Sequence, residues 1–164
     1  MKIRHSLILS PLLLAACGGA PATVPPPSAA QVNMQGMSLA AQRFDQFCIA
    51  SIGGAQDGVD LANAYYKTGK LPTLGTLKLG GDMKGEDIGV QYDTRRKGCR
   101  VTSSQGKAPN GDAELKALAT AYAARNGGTI EGGGMLVYTV KTPTTTARFQ
   151  YSDSPNGLYF QVES

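Results

Sequence analysis

The feature that most limits the fold of this chain is the point at which regular apolar patterns begin. Residues 18–36 (GGAPATVPPPSAAQVNMQG) carry no charge, four prolines and mostly small side chains, so they cannot bury enough apolar surface to fold. We expect residues 17–36 to form a tether. The globular part is then confined to residues 37–164, about 128 residues, which is enough for one hydrophobic core.

The first sixteen residues have the organisation of a secretory signal. Lys2 and Arg4 precede an apolar run from Leu7 to Ala16. This run is too short to cross a bilayer as a helix, because a helical span needs about 20 residues. It ends in Leu14-Ala15-Ala16-Cys17, which resembles the lipobox of bacterial lipoproteins.

This resemblance implies that residues 1–16 are a signal peptide, removed by cleavage before Cys17. The new N-terminal cysteine would carry diacylglycerol on its sulfur and an acyl chain such as palmitate on its amino group. Two or more chains anchor a protein stably to a membrane. Gly18, in place of Asp after the cysteine, implies sorting to the outer membrane. We therefore expect a lipid-anchored protein that faces the periplasm.

Helical spacing occurs at three places in the globular part. Ser38 is a suitable N-cap, and apolar residues follow it at helical spacing to Ser51. A second helix is predicted over residues 56–67. A third begins at Asn110-Gly111-Asp112 and stops at Asn126-Gly127-Gly128, because asparagine and glycine favour helix ends.

Alternation of apolar and polar residues predicts six strands. Ser154-Pro155-Asn156-Gly157 is a strong hairpin loop between the last two. The economical packing of this pattern is a single α+β domain of order ααβββαβββ, with helices on one face of an antiparallel sheet of five to six strands. The predicted strands cover residues 76–79, 88–92, 99–103, 135–141, 147–153 and 158–163.

Cys48 and Cys99 remain as a pair once Cys17 is assigned to lipid. A bond between them would join the first helix to a strand and close a loop of about fifty residues. A redox-active pair usually has Cys-X-X-Cys spacing, which is absent. We therefore predict a structural disulfide between Cys48 and Cys99.

The composition excludes several kinds of chemistry. His5 is the only histidine, so the mature chain has no imidazole for a Ser-His-Asp triad or a His/Cys zinc site. No phosphate-binding glycine motif occurs, and we expect no cofactor and no metal. Without Lys2 and Arg4, 14 basic residues face 12 acidic ones, a net charge of about +2. So small a charge does not indicate nucleic acid as a partner.

Carboxylates are the catalytic candidates that remain. Asp82, Glu86 and Asp87 cluster in GGDMKGEDIG before a predicted strand. A hydrolase acting on cell-wall glycans would need a pair of carboxyl groups facing each other across a cleft, with Asp93 and Glu131 as further candidates. A solvated surface loop is the simpler interpretation of this cluster.

The strongest charge feature is a run of four cations in six residues, Arg95, Arg96, Lys97 and Arg100. One interpretation is a solvated hairpin turn whose charges protect a strand edge. The other is a binding site for lipid phosphate, lipopolysaccharide or an acidic protein.

Together these features predict a non-catalytic interaction or binding module rather than an enzyme. One form of such a module is an inhibitor of a periplasmic enzyme, which inserts either the Thr94–Arg100 hairpin or the Ser154–Gly157 tip. The alternatives are a carrier of lipid or another small ligand, with an apolar cavity under the sheet, and a carboxylate-dependent cell-wall hydrolase.

Overall fold

A six-stranded antiparallel sheet organises the domain in the computed structural model, which describes residues 33–54, 56–66, 86–104, 108–132, 136–155 and 157–164. The spatial order is β1-β2-β6-β5-β4-β3, and every neighbouring pair is antiparallel. This confirms an α+β domain with helices packed on a sheet. The strands are β1 (Gly89–Asp93), β2 (Gly98–Ser103), β3 (Thr129–Gly132), β4 (Val137–Lys141), β5 (Thr146–Ser154) and β6 (Gly157–Glu163).

The first helical segment begins at Ser38, as its sequence predicts. The Ser38 side chain accepts a hydrogen bond from the backbone N–H of Ala41. Helix α1 (Leu39–Arg43) continues without a break into a π-helical turn (Phe44–Cys48) and a 3₁₀ turn (Ile49–Ser51). Phe44, Phe47 and Ile49 all reach the core, so the predicted segment is confirmed while its hydrogen-bonding pattern changes along its length.

The other two helices also match the predicted segments. Helix α2 (Gly58–Tyr66) occupies the second, and the end predicted at Lys67 lies outside the described residues. Helix α3 (Gly111–Arg125) occupies the third, and Gly127, with φ of 62°, follows its C-terminus. A left-handed residue at this place is a common helix terminator.

The strands after α3 differ from the predicted pattern. Strand β3 is absent from the predicted set, so four strands rather than three follow α3. It is a short edge strand with exposed Thr129 and Glu131, and only Ile130 packs against the core. So few apolar residues give no alternation to detect. The strand predicted at residues 76–79 lies outside the described residues.

Aromatic rings fill the space between the helices and the sheet. The Phe44 ring from the π-helical turn lies 5.7 Å from that of Phe160 and 6.3 Å from that of Phe149, and all three side chains are fully buried. The predicted disulfide between Cys48 and Cys99 is present in this layer, with a Cα–Cα distance of 5.1 Å. It fastens the first helical segment to β2.

Candidate functional site

The two faces of the sheet differ in chemistry. Along β6, Leu158, Phe160 and Val162 are buried under the helices. The residues between them, Tyr159, Gln161 and Glu163, are only half-buried and point to the opposite side, because successive side chains of a strand alternate. This opposite side, which we call the outer face, carries polar side chains on β1, β2, β5 and β6. No helix of the described residues covers it.

The basic run predicted to form a turn does so at one end of the outer face. Residues 94–97 connect β1 to β2, and Arg95, Arg96 and Lys97 are exposed. Asp93 stabilises this turn, because its Oδ1 accepts hydrogen bonds from the backbone N–H of Arg95 at 2.9 Å and from that of Arg96 at 3.3 Å. Lys97 has φ of 47°, an uncommon value for a residue other than glycine. The three cations therefore extend from a turn of defined shape.

Arg100, the fourth cation, is separate from the turn. It lies on β2, with its guanidinium carbon 4.3 Å from the centre of the Tyr159 ring. Its Nε donates to Oε1 of Gln161 at 2.8 Å, and its Nη2 donates to the same oxygen. The stacked ring and the amide thus fix the guanidinium in one orientation.

A short polar chain continues from Arg100 across β6. The Nε2 of Gln161 donates to Oε1 of Glu163 at 2.7 Å. The same carboxylate oxygen lies 3.9 Å from an Nη1 of Arg96, in an ion pair in which the arginine is 74% exposed. Arg96 and Arg100 are therefore connected through β6, a strand more than sixty residues away in sequence.

A small hollow lies among these groups. Its position follows from the strand register, which aligns Asp93, Gly98 and Glu163 across β1, β2 and β6 and aligns Gln91, Arg100 and Gln161 in the next row. Gly98 has no side chain, so the middle of the first row is only partly filled, by the Glu163 side chain, whose Cγ lies 3.3 Å from the place that a Cβ at Gly98 would take. The resulting hollow over Gly98 has a volume of about 120 Å³, and Arg96 from the turn lines its rim.

The charges around the hollow balance. Arg96 and Arg100 provide two positive charges, and Asp93 and Glu163 provide two negative ones. The two arginines are among the binding candidates predicted from the sequence, whereas Tyr159, Gln161 and Glu163 are not. The alternation along β6 is the signal that places these three on one face, whereas their position next to Arg100 depends on the pairing of β2 with β6.

The carboxylates proposed for hydrolysis are scattered. Asp93 lies on β1 and Glu131 on β3, the two opposite edges of the six-stranded sheet. Asp87 accepts hydrogen bonds from the hydroxyls of Ser103 and Ser104 at 2.9 and 2.8 Å. Asp82 lies outside the described residues. The hydrolysis candidates among the described residues do not face one another across a cleft.

Glu86 lies on the helix side of the sheet, in a cluster of hydrogen bonds that includes an ion pair. It forms an ion pair with Arg43 of α1, whose Nε donates to Oε2 of Glu86 at 2.8 Å, and the hydroxyl of Tyr66 donates to the same oxygen at 2.7 Å. Burial and the hydrogen bond to Glu86 raise the pKa of Tyr66. This cluster joins both N-terminal helices to the segment that precedes β1.

The described residues contain no group of three or more His, Cys, Asp or Glu side chains that could hold a metal ion. Among these residues, no helix is long and apolar enough to cross a membrane. Comparison with known proteins gives no family: no family model matches the chain, and neither do the curated proteins or the solved structures.

Proposed function

We propose that this protein is an envelope lipoprotein that acts as a non-catalytic interaction module. The lipobox-like Leu14-Ala15-Ala16-Cys17 supports attachment to the outer membrane through Cys17, with the domain facing the periplasm. Residues 18–36 would let the domain reach roughly 25 to 60 Å from its anchor, the range between a random coil and a polyproline helix.

The single observation that carries the proposal is the outer face with the basic turn at its end. Helices and disulfide secure one side of the sheet, and a broad polar surface lies on the other. Arg95 and Lys97 extend beyond it with exposed side chains. Such cations favour an acidic protein partner, because complementary charge steers association and selects the partner.

One form of this function is the inhibition of a periplasmic enzyme by an inserted hairpin. The Ser154–Gly157 tip pairs beside Ser103, whereas the basic turn adjoins Gly98 at the other end of β2. These two tips are therefore separated by the length of that strand, roughly 17 Å at the usual rise. A single active-site cleft would accept only one of them, and an acidic partner surface favours the basic turn.

A capture experiment from detergent-solubilised envelope tests the proposal. The bait is the lipidated full chain, and the variant is Arg95→Ala/Arg96→Ala/Lys97→Ala. The control, Lys116→Ala/Arg125→Ala, removes two positive charges from exposed positions on α3, on the other side of the sheet. We expect a partner that wild type and control retain and the variant loses, with unchanged melting temperatures. Equal capture by all three proteins would contradict docking at the basic turn.

Anchoring is tested separately with Cys17→Ser. We expect wild type to sediment with membranes and its N-terminal peptide to carry acyl mass. The variant should lose that mass and leave the membrane fraction, because the lipid chains provide the attachment. Retention of Cys17→Ser in the membrane fraction without acyl mass would contradict lipid anchoring.

A further inference from the structure

The hollow over Gly98 has a charge pattern that docking of an acidic partner does not explain. Two carboxylates and two guanidinium groups surround one small space. We propose that this hollow binds a small zwitterionic group, in which an ammonium and a carboxylate or phosphate are a few bonds apart on one ligand. This proposal rests on the hollow itself and is independent of the docking function.

The ammonium half would lie next to Gly98, between Asp93 and the Glu163 side chain. Asp93 and Glu163 align with Gly98 on the two neighbouring strands, so their Cα atoms are about 10 Å apart. The glycine contributes no side chain of its own, so Asp93 and the Glu163 side chain bound this space. A Cβ at this position would approach Cγ of Glu163 to 3.3 Å, so even alanine narrows the gap. An ammonium there would interact with both carboxylates.

The anionic half would interact with Arg100. Gln161 accepts from Nε and Nη2 of Arg100, and the Tyr159 ring covers one side of its guanidinium. An arginine has five N–H donors, so further donors remain for a carboxylate or phosphate oxygen. Because the guanidinium is held in place before a ligand arrives, little side-chain entropy is lost on binding.

Displacement of the Arg96 side chain from Glu163 would open the hollow. Its guanidinium lies 3.9 Å from Glu163, and the side chain is 74% exposed. Because so exposed an ion pair contributes little to stability, displacing Arg96 from Glu163 costs little free energy. An incoming ammonium would take the place of Arg96 at Glu163, and Arg96 would then be available to the ligand's anionic group.

The size of the hollow limits the ligand. A single water needs about 10–15 Å³ of such space. The volume of about 120 Å³ therefore holds a group of several non-hydrogen atoms. Two sources have this chemistry and size: an α-amino acid with free amino and carboxyl groups, and the ethanolamine phosphate headgroup of a zwitterionic phospholipid. Titration with each of the two distinguishes them.

Titration of the ¹⁵N-labelled full chain in detergent micelles tests the proposal by NMR. The probes are alanine and glycerophosphoethanolamine as zwitterions, acetate as the anion alone and ethylammonium as the cation alone. We expect a saturable shift of the Gly98 amide with at least one zwitterion, and a response at least about tenfold weaker with the two single charges. The zwitterion that saturates at the lower concentration identifies the source.

Two results would overturn the proposal. One is the absence of a saturable shift with both zwitterions. The other is saturation by acetate or ethylammonium at the same concentration as the zwitterion, which would show a site for one charge only. Neither result depends on the capture of a protein partner, so failure here is distinguishable from failure of the docking function.

Three variants locate the binding, and the amide spectrum of each shows whether the fold is intact. We expect Arg100→Gln and Glu163→Gln each to weaken zwitterion binding at least about tenfold. We expect the same of Gly98→Ala, which changes no charge and fills the gap. The control is Lys116→Gln, which removes one positive charge from an exposed position on α3, on the other side of the sheet. Full binding by Arg100→Gln, or equal loss in the control, would overturn the assignment.

Discussion

The Arg100 guanidinium stacks on the Tyr159 ring and donates to the Gln161 amide, two neighbours that both belong to β6. This relationship divides the basic run into two parts with different surroundings. Arg95 and Lys97 remain exposed on the turn, while Arg100 is half-buried and fixed in orientation. A partner surface would meet the first part, and a small ligand would meet the second.

The disulfide is expected to provide a large part of the stability. Cys48 and Cys99 are 51 residues apart, and closing a loop of that size stabilises a protein by about 4 kcal/mol. The double variant Cys48→Ala/Cys99→Ala should lose roughly that free energy of unfolding in a urea titration. Reduced wild type is the matched control. An unchanged urea midpoint in both would contradict this role.

A buried carboxylate from α3 is expected to stabilise the start of α1. Glu114 accepts the backbone N–H and the hydroxyl of Ser38, each at 2.7 Å, and is 8% exposed. Glu114→Gln loses one charge-assisted acceptor and should lower the free energy of unfolding by about 1–3 kcal/mol.

A double-mutant cycle of Glu114→Gln with Ser38→Ala should show coupling, because the two residues bind each other directly. The exposed Glu131→Gln serves as the control and should change the stability by less than about 0.5 kcal/mol. Additive effects at positions 38 and 114 would argue against a direct contribution of this contact.

Gly157 is expected to tolerate no side chain. It has φ of 119°, and a Cβ there would lie 2.5 Å from the backbone oxygen of Ser103. Gly157→Ala should therefore destabilise the domain by about 2 kcal/mol or more, measured by thermal unfolding. Gly132→Ala is the control, because a Cβ at that position would meet nothing within 4 Å. Equal melting temperatures for the two variants would contradict the close approach of β6 to β2 at this position.

Alkaline pH is expected to destabilise the fold through buried tyrosines. Burial, together with the nearby Asp153, raises the pKa of Tyr151 from 10.0 to about 12. The unfolded chain then loses this proton at lower pH than the folded one. The stabilising contribution is fully present below pH 10 and is lost as the pH rises toward 12.

Unfolding measured at intervals across this range should show the decline, and Tyr151→Phe should make it less steep. Absorbance of phenolate at about 295 nm, compared between Tyr151→Phe and wild type, identifies which tyrosine ionises late. Ionisation of Tyr151 at the same pH as the exposed tyrosines would contradict the raised pKa.

Much of the fold follows from local patterns in the sequence. The alternation in β1, β2, β5 and β6 and the helical spacing of α1 to α3 place the buried residues on the correct side. Strand β3 could not be found, because a short exposed edge strand carries almost no apolar signal. Its place in the sheet is set by pairing with β4 rather than by its own residues.

The candidate site was only partly predictable for a related reason. The run containing Arg95 and Arg100 is visible in the sequence as a cluster of charges. Which of its cations are exposed and which are held by neighbouring side chains depends on contacts between residues far apart in sequence. Arg100 meets Gln161 across 61 positions, and Glu86 meets Arg43 across 43. Such pairings depend on strand order and helix placement, which no local pattern encodes. The hollow over Gly98 likewise exists only once three strands align.

The most direct test of the account is photo-crosslinking in cells that produce the lipidated protein. A photoreactive residue is placed at Lys97 or Arg148, on the turn and the outer face, or at Lys116 or Thr120, exposed on α3. We predict that the first two positions crosslink a common envelope partner and that the helical positions do not. Crosslinks from α3 alone would show that the partner binds the helical side and would contradict the account.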